Sequence, residues 1–225
     1  MCSMCAARRG GRSTSLRIEN SLPRLRGRGT ARSVVEGGLR LHKRICLSGA
    51  DIHELEEVYR GRRGIHSVRT GYINAAENAA HEDVETGAAG GRMGIEIVYD
   101  PKKIDISQLL DLHFAVVTPY SIDGQGYVRG SAYRAGVFYE SAEDEPQIQL
   151  YLTFLAGKGR CPATGEHLTL NDPNSSAAAR RVMHATMERL NSFQPATEEH
   201  QGYLARHPET ETYIDLARLR ELVQL

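Results

Sequence analysis

The order in which hydrophobic periods follow one another constrains this chain most. The apolar run in "LHKRICLSG" reads as a strand, and Ile52, Leu55, Val58 and Tyr59 then fall at helical spacing over residues 51–61. "GIHSVRTGYI" alternates, which predicts Ile65, Ser67 and Arg69 on one face and His66, Val68 and Thr70 on the other. "RMGIEIVYDP" alternates again, with Met93, Ile95, Ile97 and Tyr99 sharing a face and Pro101 stopping the ladder. "DISQLLDLHFAVV" returns to helical spacing, with Asp105 or Ser107 as its cap. "YRAGVFYE" reads as a strand, followed by a helix from about Glu143 to Leu155. The resulting order, β-α-β-β-α-β, predicts an α+β, ferredoxin-like (split βαβ) core.

The remainder is less regular. "GKGRCPATG" and "NDPNSS" read as turns, "RVMHATMERL" as a strand and "PATEEHQGYLARHP" as a short capped helix. Residues 209–225 are predicted to end in an amphipathic helix, with Ile214, Leu216, Leu219, Leu222 and Val223 near one stripe. That helix packs back on the domain or docks on a neighbour.

The junction between the first strand and the first helix, "SGADIHELEE", attracts attention as a site. Asp51 is placed to cap the helix, and Glu54 three residues on completes a capping-box pattern.

Charge divides the chain. Residues 1–44 hold 11 of the 28 basic side chains and only two of the 28 acids, Glu19 and Glu36. The rest therefore carries 17 bases against 26 acids. The Arg-rich arm Arg8–Arg44 suits an organelle transit peptide, or a flexible arm that binds RNA or an acidic protein surface. No stretch approaches the roughly 18 apolar residues that span a bilayer, so no membrane span is expected. The four cysteines, Cys2, Cys5, Cys46 and Cys161, are too scattered for a disulfide framework and favour a reducing compartment. "MCSMC" is a lone C-x-x-C with no second pair beside it, too little for zinc. "GAAGGRMG" lacks the Lys-Ser/Thr of a phosphate-binding loop.

Residues 44–208 resemble the type A peptide-methionine (S)-S-oxide reductases. The resemblance rests on "GRRGIHSVRTGY", "HEDVETG", "IEIVYDPKKIDISQLLDLHF", "QGYVRGSAYRAGVFY" and "FQPATEEHQGYL" in that order. It implies a ferredoxin-like α+β core over residues 45–208, between the basic extension 1–44 and the C-terminal helix 209–225. The family works through a Gly-Cys-Phe-Trp motif. Counting back from Gly71-Tyr72, that motif falls on Ala50-Asp51-Ile52-His53. Asp51 thus stands where the resemblance implies the nucleophilic cysteine, and His53 where it implies the substrate-packing tryptophan. Met93 stands at the position of the proton-donating glutamate. His81 and Tyr133 stand at the two substrate-binding tyrosines, and Val128 at the family's aspartate.

Sulfoxide reduction needs a polarisable thiolate to attack sulfur and a disulfide cycle to reset it. A carboxylate enters no disulfide and a thioether donates no proton. The substitutions therefore predict a catalytically inactive reductase-like protein without a cofactor. Such a protein would serve as a structural subunit of a larger assembly, organellar by its arm and otherwise cytoplasmic. An active reductase, with Cys46 as fallback nucleophile, is the alternative. Another is a metal-dependent or acid/base enzyme built on Asp51, His53 and His81. The plainer reading is that Asp51 caps a helix and the histidines fill space. His113 and His200 are expected to be structural, His113 as a satisfied core histidine.

Overall fold

The computed structural model describes residues 42–156 and 182–222. Cys2, Cys5, Cys161, Val223 and the arm as far as Arg40 lie outside them. Four strands form the centre of a six-stranded sheet: β1 (Lys43–Ser48), β2 (Ile65–Ile73), β3 (Arg92–Tyr99) and β6 (Gly136–Tyr139). The sheet order is β7-β6-β1-β3-β2-β8, where β7 is Thr186–Arg189 and β8 is Phe193–Pro195. The central pairs β6/β1, β1/β3 and β3/β2 are all antiparallel. That is the split βαβ arrangement read from the sequence. β7 extends the sheet in parallel beside β6, and β8 lies antiparallel beside β2. A two-stranded ribbon, β4 (Gly124–Gln125) with β5 (Val128–Arg129), stands apart.

The helices α1 (Ile52–Tyr59), α3 (Ile106–Val116) and α4 (Glu145–Ala156) cover one face of the sheet. Leu55, Val58 and Tyr59 of α1, Leu109 and Leu112 of α3, and Ile148 and Leu155 of α4 share a core with Ile45, Leu47, Ile95 and Ile97. Removing these side chains from water is the main force holding the layers together. Asp105 caps α3 in a reciprocal capping box with Gln108, so Ser107 is not the cap. The C-terminal segment packs back on the domain. Ile214 and Leu219, the latter on α6 (Leu216–Leu222), are buried in the main core.

Three local expectations change. The alternation of β2 breaks at a bulge: Ile65 pairs with Tyr99 and Ser67 with Val98, leaving His66 as the extra residue. Ile65 and Val68 therefore both pack on the main core, although simple alternation separates them. The short helix near the C-terminus, α5 (Tyr203–Arg206), has no side-chain cap; its N-cap is Gly202 in the left-handed region. His113 is fully buried, but neither ring nitrogen meets a hydrogen-bond partner, and the Ser48 backbone offsets burial only in part. Burial pushes it down to about 3, so the ring is neutral.

Candidate active site

β1 delivers the chain at Ser48 to a turn that leads into α1, and Asp51 stands at that helix's head. Its Oδ1 accepts the backbone N–H of His53 at 2.9 Å and of Glu54 at 3.2 Å, the expected cap. The His53 ring adds a third contact, Nδ1 to Oδ1 at 3.2 Å. Burial of Asp51 opposes ionisation. The His53 ring and the two backbone donors outweigh it and hold the carboxyl below its ordinary range. The expected capping box is incomplete. Glu54 does not return to the helix head; its carboxylate accepts the Tyr127 hydroxyl at 2.6 Å and the N–H groups of Tyr213 and Ile214 at 3.0 and 2.8 Å.

The residues placed by counting from Gly71-Tyr72 converge. Met93 lies opposite Tyr72 in the β2/β3 ladder. Both are buried with Ile52, Val84, Ala132 and Tyr133, and Val128 packs at the margin. Val84 comes from α2 (His81–Glu85), and Ala132 and Tyr133 from a 3-10 turn after β5. The Tyr133 hydroxyl donates to Glu85 Oε1 at 2.9 Å. Burial, then Glu85, push that hydroxyl up, so it stays protonated. Met93 gives the floor a thioether and no proton to donate.

Three imidazoles line the approach. His53 Nε2 lies 3.1 Å from His200 Nδ1. The His200 ring stacks on His81 with centroids 4.1 Å apart and planes 6° from parallel. His81 Nδ1 lies 3.1 Å from the Tyr72 hydroxyl, and Tyr203 tilts against His53 at 4.5 Å. His200, Tyr72 and Glu85 were not among the candidates. They reach the site from separate parts of the chain, and no local spacing signals it.

The metal expectation for Asp51, His53 and His81 fails on geometry. His53 is occupied by Asp51 and His200, and His81 turns toward Tyr72. Among the described residues no group of three or more His, Cys, Asp or Glu is arranged to hold a metal ion.

Cys46 lies on the other side of the sheet. Its neighbours Ile45 and Leu47 point into the main core. Cys46 instead packs with Ile73, Phe138 and Leu190, fully buried. Burial pushes its thiol far up, away from the thiolate. The arrangement around Asp51 can hold protons and hydrogen bonds; among the described residues it contains no thiol.

The family model described as peptide methionine sulfoxide reductase matches residues 43–224. A peptide methionine sulfoxide reductase MsrA 2 of Mesorhizobium japonicum is 30% identical over 184 residues, covering 80% of this chain and 85% of the relative. An MsrA of Picrophilus torridus is 27% identical over 167 residues, covering 73% and 84%. The fold is similar to the crystal structure of reduced Mxr1 from Saccharomyces cerevisiae. There the TM-score is 0.62 at 23% identity, covering 76% of this chain and 89% of that one. It is also similar to methionine sulfoxide reductase A of Corynebacterium diphtheriae, with a TM-score of 0.63 at 16% identity, covering 79% and 80%.

Proposed function

Since the chain belongs to the peptide methionine sulfoxide reductase family, we propose that it is a member without the family's thiol chemistry, whose domain works by binding. One observation carries this reading: the position expected to bear the nucleophile holds Asp51, a carboxylate committed to capping α1. Reduction of a sulfoxide to a thioether passes two electrons from thiols, which leave as a disulfide, and the oxygen leaves as water. Asp51 supplies neither the electron pair on sulfur nor the disulfide. Met93, where the acid is expected, supplies no proton to the departing oxygen.

The deciding experiment incubates the full chain with dithiothreitol and the S epimer of methionine sulfoxide, free and in a peptide. The expected result is no thioether above a control without protein. Turnover abolished by Cys46→Ser, or by Ser at Cys2, Cys5 or Cys161, overturns the reading. It would favour an active reductase, the activity that the relatives' names carry.

The same reading extends to a structural subunit of a larger assembly, with the Arg-rich arm Arg8–Arg44 as its attachment to an acidic protein surface or RNA. An organelle is the compartment that the arm's composition favours. Among the described residues no helix is long and apolar enough to cross a membrane. Native fractionation with mass spectrometry tests the assembly. The full chain is expected to migrate with partners and a chain lacking residues 1–40 without them; equal co-migration of both refutes the arm's role. Loss of co-migration after ribonuclease treatment identifies RNA as the partner, and its persistence identifies an acidic protein surface.

A further inference from the structure

The three imidazoles form one stacked line, with His53 5.3 Å and His81 4.1 Å from His200 between ring centroids and planes 20° and 6° from parallel. His53 Nδ1 faces the Asp51 carboxylate at 3.2 Å, so the proton of a neutral His53 belongs on Nδ1. Its Nε2 lies 3.1 Å from His200 Nδ1, and His81 Nδ1 lies 3.1 Å from the Tyr72 hydroxyl. The line runs from α1, through the turn that carries His200, to the head of α2. The line ends at Tyr72 and Asp51, which border the buried floor of Met93 and Tyr133.

From this geometry we propose that His53, His200 and His81 form a proton-operated latch across the site. Neutral rings keep the turn of residues 197–203 closed on α1 and α2, and protonated rings release it. Protons on both His200 and His81 place two cations face to face with centroids 4.1 Å apart, a repulsion that opening the turn relieves.

The surrounding groups do not absorb these charges freely. Asp51 and Glu56 face the rings from α1, Tyr72 from β2, Glu85 from α2, Glu199 from the turn and Tyr203 from α5. Asp51 already holds the helix head, and Glu56 holds the Gly202 N–H and Arg60. Glu85 takes the Tyr133 hydroxyl and Glu199 the Thr197 hydroxyl. Burial lowers His81 and His200 from the ordinary imidazole range and the neighbouring rings add to this, while Glu85, Asp51 and Glu199 offset it only in part. Depressed values in the closed form mean that closure is fully favoured above the ordinary imidazole value. It is lost as pH falls below that value.

The inference stands apart from the absence of thiol chemistry, since it concerns access to the site and not what the site does. Amide hydrogen exchange on the full chain, expressed as protection factors at about pH 7.5 and about pH 5, tests it. The expected result is a loss of protection in residues 81–85 and 197–203 at least about tenfold larger than in β3. His81→Phe combined with His200→Phe keeps two flat rings and removes two proton sites, so the extra loss should vanish. Unchanged wild-type protection, a loss no larger than that of β3, or the same response in the double variant overturns the latch. Imidazole C–H titration by NMR gives a second reading. His81 and His200 should titrate below the ordinary imidazole value of about 6.5, taken from a short unstructured histidine peptide in the same buffer, and values equal to that reference overturn the proposal.

Discussion

Glu54 Oε2 accepts the backbone N–H of Ile214 at 2.8 Å, closing a span of 160 residues. With the Tyr213 N–H and the Tyr127 hydroxyl on its other oxygen, one buried carboxylate seats the C-terminal segment against α1. Removing the acceptor leaves two backbone donors to bury without partners. Glu54→Ala is expected to cost about 2–4 kcal/mol, read as a fall in the urea midpoint. Unchanged stability would mean that the segment is held by Ile214 and Leu219 burial alone.

Asp51 is expected to matter as a cap and not as a reactive group. Asp51→Asn retains an acceptor and should cost less than about 0.5 kcal/mol, whereas Asp51→Ala should cost about 1–2 kcal/mol. Because the folded carboxyl is held below its ordinary value, its stabilisation is present above that value and lost as pH falls through the folded one. The difference between wild type and Asp51→Ala should therefore shrink in acid below about pH 4. A difference that grows there would refute the capping account.

His113 gives a second acid-linked test, in the core. The ring is neutral when folded, with its value near 3, and gains a proton on unfolding. Stability from this source is complete above the ordinary imidazole value and falls as pH drops below about 6.5. His113→Leu removes a buried ring whose nitrogens meet at most the Ser48 backbone, and with it the protonation linkage. It should unfold in acid less readily than wild type, as measured by thermal melts across pH. Equal acid sensitivity of both proteins would assign the effect to other groups.

Cys46 should resist modification. In native buffer an aromatic disulfide reagent is expected to leave it unlabelled, with labelling appearing in urea at the unfolding midpoint; peptide mapping distinguishes it from the other cysteines. Rapid native labelling of Cys46 would contradict its burial.

Gly71 lies under the aromatic ring of Phe193. A Cβ there meets the Gln194 carbonyl and the Phe193 ring, so Gly71→Ala must displace β8 from β2. The expected cost is about 1–3 kcal/mol. Increased hydrogen exchange confined to Phe193–Pro195 and its partner residues in β2 would accompany it.

The central strand order and the main helices were legible because each element announces itself within about ten residues through its period and its cap. Counting along β2 and β3 also anticipates the pairing of Met93 with Tyr72. The rest depended on distance along the chain. Glu54 three residues after Asp51 has the spacing of a capping box, and only the arrival of Tyr213 and Ile214 diverts it. His66 fits an alternating strand, and only the register against β3 exposes the bulge. His200 sits in a polar turn whose pattern carries no trace of His53 or His81. Local periodicity reports which face a residue occupies, not which remote segment will meet it.

The sheet's two outer strands, β7 and β8, come from residues 186–195, after all four central strands in chain order. Each is short, four and three residues, and short edges offer little template for pairing with another molecule. A chain still emerging from the ribosome, or cut before Thr186, has the central strands without these covers. β6 and the nine-residue β2 are then its exposed borders. Premature stop codons ahead of Thr186 should consequently produce aggregating polypeptide in place of a smaller soluble domain, which makes the late-synthesised strands the molecule's own protection against association.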